Sequence, residues 1–156
     1  MEKNRHSEPI LVSACLIGLG CRYNGEPLPQ DIIRSVKGYL TGKIFIPVCP
    51  EQLGGLPTPR PPMEIVDGDG NDVLEGKTLV LNSQGEDVTQ HLLKGASSTA
   101  EIASLLGAKL AIFKEGSPSC GVRRIYRKGT KVRGIGVASA FVARQGIRVL
   151  SEEDLG

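Results

Sequence analysis

Ile10-Leu11-Val12-Ser13-Ala14-Cys15 is the stretch on which the fold turns. A short apolar run that closes on small residues and a cysteine reads as a buried strand. Working outward, Leu28 to Leu40 places Ile32, Ile33, Val36 and Leu40 at helical spacing, with Gly42 as a stop signal. Ile44-Phe45-Ile46-Pro47-Val48 is a second β-rich run and ends at Cys49. Pro47 has no N–H for a ladder, so one side of this strand should lack a partner near its end. Leu110-Ala111-Ile112-Phe113 and Ile147 to Leu150 repeat the strand pattern. A helix is expected from Asp87, with Gln90 as its capping-box partner, Gly95 as the point where it would break and Gly107 as its end. A short helix of small residues is expected over 134–144. Strands that alternate with helices predict an α/β fold: a three-layer, Rossmann-like domain with a mainly parallel sheet.

The segments between these elements read as loops. Residues 50–62 carry five prolines and two glycines, which predicts an extended loop rather than a helix or a core strand. Met63 to Val66 and Thr78 to Leu81 are short β-like runs separated by Asp67-Gly68-Asp69-Gly70-Asn71-Asp72, and together they predict a small inserted β-hairpin. The acidic cluster lacks the spacing and terminal Glu of an EF-hand, so it reads as a turn and not as a calcium loop. Arg123, Arg124, Arg127, Lys128, Lys131 and Arg133 crowd one segment, read as a solvated mobile loop, with an anionic-substrate or RNA-facing lid as the alternative. The division expected is a flexible leader over 1–9 and one domain over 10–156.

Composition narrows the chemistry. The chain has 156 residues, 40% apolar and 23% charged, and no Trp, so its core must be aliphatic. A net charge of +2 gives no electrostatic case for duplex nucleic acid. The two histidines, His6 and His91, nearly exclude a site built on several imidazoles. No signal-peptide core and no apolar run of membrane-spanning length is present, which points to the cytoplasm and to no membrane partner. Disulfides rarely persist there, so the four cysteines read as metal ligands, catalytic thiols or inert core residues.

Position separates them. Cys15, Cys49 and Cys120 each follow a strand, and in an open parallel sheet the carboxyl ends of the strands share one edge, where ligands bind. A shared site is therefore expected from these three, while Cys21 lies in a turn-rich segment and reads as structural. No pair has the Cys-x-x-Cys spacing of a structural zinc site or a thioredoxin-like protein. Three isolated thiolates match a larger cofactor such as an iron–sulfur cluster, whose fourth iron would stay open. Zinc with three cysteines and water, a thiol-redox pair, and a non-catalytic nucleotide- or RNA-binding module remain as alternatives. Around the same edge, Glu51 is a candidate acid or base, Ser117 a proton relay, and Ser119 and Arg60 candidate substrate contacts.

Ser13-Ala14-Cys15-Leu16, Cys21-Arg22-Tyr23-Asn24-Gly25, Val48-Cys49-Pro50-Glu51, Leu56-Pro57-Thr58-Pro59-Arg60-Pro61-Pro62 and Ser117-Pro118-Ser119-Cys120-Gly121 occur in this order. Taken together they resemble the short, stand-alone form of the thiouracil desulfurase family. The resemblance covers nearly the whole chain after residue 9. It implies an enzyme that removes sulfur from thiolated uracil compounds, without redox change, to give the oxo form and hydrogen sulfide. It implies a [4Fe-4S] cluster on Cys15, Cys49 and Cys120 with one open iron, Glu51 as the acid/base and Ser117 as the active-site serine. The expected partner is a thiolated pyrimidine or its nucleotide. Thiolated tRNA is disfavoured, because the extra C-terminal domain of longer members is missing.

Overall fold

The structure is a computed structural model that describes residues 8–155, so most of the expected leader lies outside the described residues. In chain order the elements are β1 (Ile10–Ser13), α1 (Gln30–Leu40), β2 (Phe45–Val48), α2 (Pro50–Leu53), β3 (Met63–Ile65), α3 (Gly70–Leu74), β4 (Val80–Asn82), α4 (Thr89–Leu106), β5 (Leu110–Phe113), β6 (Arg124–Arg127), β7 (Thr130–Arg133), α5 (Val137–Arg144) and β8 (Arg148–Ser151). Four parallel strands form the central sheet in the order β2-β1-β5-β8. Pro47 falls in β2, an edge strand, where its missing N–H costs nothing.

Alternation along β1 and β5 explains the three layers. Ile10, Val12 and Ile112 pack with Ile33, Val36 and Leu40 of α1 on one face of the sheet. Leu11, Ala111 and Phe113 pack with Ala100 and Ala103 of α4 and Val142 of α5 on the other. A further apolar cluster lies beyond the sheet, where Met63, Ile65, Val73, Val80, Leu92, Ile125 and Val137 knit β3, β4, α3, α4, β6 and α5 together. The core is aliphatic, as the composition required.

Several local expectations are corrected. The proline-rich segment opens with one helical turn, α2, because Pro50 sits at N1, where no N–H is needed. The turn between β3 and β4 contains α3, nucleated by a reciprocal cap in which Asp69 accepts from the Asn71 N–H and Asp72 accepts from the Asp69 N–H. Helix α4 begins at Thr89 without a capping box. Asp87 instead accepts from the N–H and hydroxyl of Thr89, and those bonds hold its carboxyl below the usual aspartate range.

The same helix runs unbroken through Gly95 to Leu106. The basic segment is not a mobile loop but the hairpin β6–β7. Lys128 and Gly129 form its two-residue turn at φ values of 52° and 75°, and Ile125 is fully buried beneath it. Its strand β6 is tied to β3 by Arg127 Nε donating to the Ile65 carbonyl at 3.1 Å.

Candidate active site

The chain pairs β1 with β2 on one side and with β5 on the other, so the sheet reverses its winding between β1 and β5. A crevice opens at such a point beyond the strand carboxyl ends. Three connections enter it. Cys15 lies in a 3-10 turn, Ala14–Ile17, that leaves β1 directly. Cys49 leaves β2 as the N-cap residue of α2, with Glu51 in the first turn. Cys120 lies in the connection after β5, together with Ser117 and Ser119.

The thiols interact across these connections. Cys49 Sγ donates to the Cys21 carbonyl at 3.8 Å. The Cys21 thiol lies within hydrogen-bonding reach of both Cys15 and Cys49. Cys21 was set apart by its sequence context, and the structure buries it in the same crevice. The Cys15 contact, followed by burial, pushes the Cys21 thiol up to about 11. Contact with Cys21 and then burial raise the Cys49 thiol above its ordinary range, and burial raises that of Cys120, which the Ser13 hydroxyl partly offsets. These three side chains are therefore neutral thiols near pH 7, and binding a metal through Cys49 or Cys120 must release protons.

The two oxygens of Glu51 are held unequally. Its Oε2 accepts from Arg60 Nε at 3.0 Å and from Arg60 Nη2, while Oε1 accepts from the Ser119 hydroxyl at 3.3 Å. Arg60 is buried and uses every donor it has. Nη2 also reaches the Cys21 carbonyl at 2.9 Å, and Nη1 reaches the Pro57 carbonyl at 3.2 Å and Thr58 Oγ1 at 2.9 Å. Ser117 Oγ accepts from the N–H groups of Ser119 at 3.0 Å and Cys120 at 3.1 Å, which leaves its own hydroxyl hydrogen free to be donated.

The sequence reading missed three supports. Glu115 is buried just past β5, and its Oε1 accepts from the N–H groups of Val122, Arg123 and Arg124 at 2.7, 2.9 and 2.9 Å. Ser13 Oγ accepts from the Lys114 N–H at 3.0 Å, which ties the end of β1 to the start of the Cys120 connection. Gly54 and Gly95 let α2 press onto α4. A Cβ on Gly95 would stand 1.9 Å from the Pro50 carbonyl oxygen, and one on Gly54 the same distance from that of His91. A glycine in mid-helix was the signal for this close approach, read instead as a break.

The sequence model of the 2-thiouracil desulfurase family matches residues 10–154. The chain belongs to that family. Among its relatives is the uncharacterized protein YbbK of Bacillus subtilis strain 168, 44% identical over 149 residues, which span 94% of this chain and 97% of YbbK. The solved structure of the [4Fe-4S]-dependent thiouracil desulfidase TudS is similar with a TM-score of 0.79 and 37% identity, covering 96% of this chain and 93% of that one. The α/β fold expected from the strand and helix pattern is the fold of that enzyme.

Among the described residues, no three Cys, His, Asp or Glu side chains converge on the position of a single ion. Thiolates around one tetrahedral ion, at metal–sulfur distances of about 2.3 Å, stand only about 3.8 Å apart. The ligands of a cluster each hold a different iron and stand further from one another. Cysteines on three separate connections, with no imidazole among them, are thiolate donors of the kind that hold an iron–sulfur cluster.

Proposed function

We propose that this desulfurase-family protein removes sulfur from thiolated uracil compounds, thiouracil or a thiouridine nucleotide, with Cys15, Cys49 and Cys120 as the ligands of a [4Fe-4S] cluster. The observation that carries the reading is the meeting of these three connections at one sheet edge, with Glu51 two residues beyond Cys49 and Ser117 three before Cys120. When bound, the cluster supplies an iron with affinity for soft sulfur that polarises the thiocarbonyl carbon.

The protein groups supply the rest. Glu51 Oε1 is the oxygen that removes a proton from the attacking water, since Oε2 is committed to Arg60. Ser119 Oγ sits beside Oε1 and orients the carboxylate. Ser117 donates its hydroxyl hydrogen to the substrate or relays it. Water adds to the carbon, the C–S bond breaks, and the protons of the water leave with the sulfur as hydrogen sulfide. The change is hydrolytic and needs no electron donor. The partner is a small thiolated pyrimidine, and the free state of all four cysteines suits a reducing compartment such as the cytoplasm. No helix among the described residues is long and apolar enough to cross a membrane.

Anaerobic purification with iron and sulfide counting tests the ligands. About four irons per chain are expected, and they should be lost on Cys15→Ser, Cys49→Ser or Cys120→Ser but kept on Cys21→Ser. Conversion of 2-thiouracil to uracil with release of sulfide tests the activity, and Glu51→Gln should keep the iron and lose turnover. A protein that binds no iron under these conditions, or a Glu51→Gln variant with full turnover, would overturn the corresponding part.

A further inference from the structure

Arg60 stands out because its side chain does nothing but bind protein. A guanidinium has five N–H donors in one plane. Here Nε and one Nη2 hydrogen go to Glu51 Oε2, the other Nη2 hydrogen to the Cys21 carbonyl, and the Nη1 pair to the Pro57 carbonyl and Thr58 Oγ1. The side chain is 3% exposed, against 12% for Glu51. No donor is left for a substrate atom.

The backbone around it is fixed as well. The Arg60 N–H donates to the Tyr23 carbonyl at 2.7 Å, and Gln52 Nε2 donates to Thr58 Oγ1 at 2.8 Å. Arg60 therefore ties three segments to one planar group: the turn that carries Cys21, the helical turn that carries Glu51, and the proline-rich loop that carries Arg60 itself.

We propose that Arg60 is a positioning residue rather than a substrate contact: it occupies one oxygen of Glu51 and locks the carboxylate so that the other faces the reacting water. The proposal rests on the functional reading above for its kinetic readout. It accounts for the asymmetry at Glu51, whose Oε1 has only the longer Ser119 contact. It also accounts for the proline-rich loop, which delivers a buried arginine from outside the sheet and restrains the backbone on either side of it. A group that acts this way changes the rate of the bond-making step without changing how tightly substrate binds.

Steady-state kinetics on 2-thiouracil with the anaerobic, cluster-loaded protein test it. Arg60→Ala should keep its iron and sulfide content and its KM while kcat falls on the order of 100-fold, the scale of a misplaced reacting group. Added guanidinium should restore part of kcat. Arg60→Lys keeps the charge but not the planar fork and should also lose kcat, so it serves if Arg60→Ala fails to hold its cluster. Glu51→Gln combined with Arg60→Ala should be no slower than Glu51→Gln alone, because one acts through the other. A raised KM with kcat kept, additive losses in the double variant, or wild-type kcat in Arg60→Lys would each overturn the proposal.

Urea unfolding of wild type, Arg60→Ala, Glu51→Gln and the double variant is read independently of activity. The two substitutions should be strongly non-additive in stability, and additivity would overturn the clamp. A wild-type protein that holds its cluster but releases no sulfide from any thiolated pyrimidine would overturn the functional reading, and the unfolding cycle would still decide the clamp.

Discussion

The connections after β2 and after β5 do the same job with opposite devices. Each takes the chain off a parallel strand and delivers a cysteine together with a polar group to the crevice. After β2 the partly buried carboxylate, Glu51, is the group being held, and the holder is Arg60, nine residues further along the same connection. After β5 the buried carboxylate, Glu115, is itself the holder, and what it holds is three consecutive N–H groups just past Cys120. Each carboxylate keeps one oxygen clear of strong donors, but Glu51 Oε1 belongs to a side chain that is 12% exposed, whereas Glu115 Oε2 is sealed in the interior with no hydrogen-bond partner. A carboxylate that water can reach is available for chemistry, and one closed off and saturated at its other oxygen by backbone donors serves as a staple.

The largest effect should come from removing the staple. Glu115→Ala leaves three partly buried N–H groups without their acceptor, at about 1–3 kcal/mol each when fully buried and unsatisfied. With partial relaxation and hydration the loss should be on the order of 3 kcal/mol by urea unfolding, and the iron content should fall because Cys120 loses its anchored connection. A loss below that of an ordinary surface substitution would break the comparison.

The pH dependence sharpens it. Burial works to raise the Glu115 carboxyl, but the three N–H bonds and the Arg123 guanidinium outweigh it and hold the carboxyl below the usual glutamate range. A depressed folded-state value means the stabilisation is complete above the unfolded-state value, about 4.3. It is lost as pH falls further, through the lowered folded-state value. Glu115→Gln should therefore be less stable than wild type at neutral pH and show a flatter acid limb. Equal acid limbs would mean that folding does not lower the Glu115 carboxyl.

How much of this was legible in the sequence follows the range of the interactions. The strands and the convergence of their carboxyl ends are local apolar runs plus one rule of sheet topology, so Ile10–Ser13 and Leu110–Phe113 could be read directly. The hairpin β6–β7 escaped because its turn uses Lys128 at positive φ, a residue that does not announce such a turn, and because only tertiary packing shows that Ile125 is buried. Arg60 was placed at the site but given to the substrate. Its five hydrogen bonds go to four acceptors in segments up to 39 residues away, and no pattern in the chain marks a carbonyl such as that of Cys21 as a partner. Glu115 was invisible for the same reason, since the backbone donors it serves carry no side-chain signature. Strand-end position marked Cys15, Cys49 and Cys120 together and made Glu51 and Ser117 candidates, and the family resemblance added the expected cluster and the thiolated-uracil substrate class.

Gly95 gives a smaller test on the β2 side. Its Cβ would meet the Pro50 carbonyl oxygen at 1.9 Å, so Gly95→Ala must push α2 off α4 and shift Cys49 and Glu51 together. Overpacking of this kind costs about 1–3 kcal/mol. Because the displaced turn carries the candidate base, turnover should fall more than stability does. Unchanged turnover with lowered stability would mean that the site tolerates movement of α2, and the Arg60 anchor would then dominate the placement of Glu51.

The smallest effect has the opposite sign and checks that reasoning. Gly38 is also a helical glycine, in the interior of α1, but a Cβ there would meet nothing within 4 Å. An alanine at this exposed position relieves the backbone entropy that glycine loses on folding and should stabilise by about 0.5–1 kcal/mol. The two glycines have the same helical backbone and differ only in what stands beside them. Gly38→Ala should raise the unfolding midpoint, and Gly95→Ala should lower it. Two upward shifts would mean that helix propensity, not the contact between α2 and α4, sets the outcome, and Gly95 would have no part in placing Glu51.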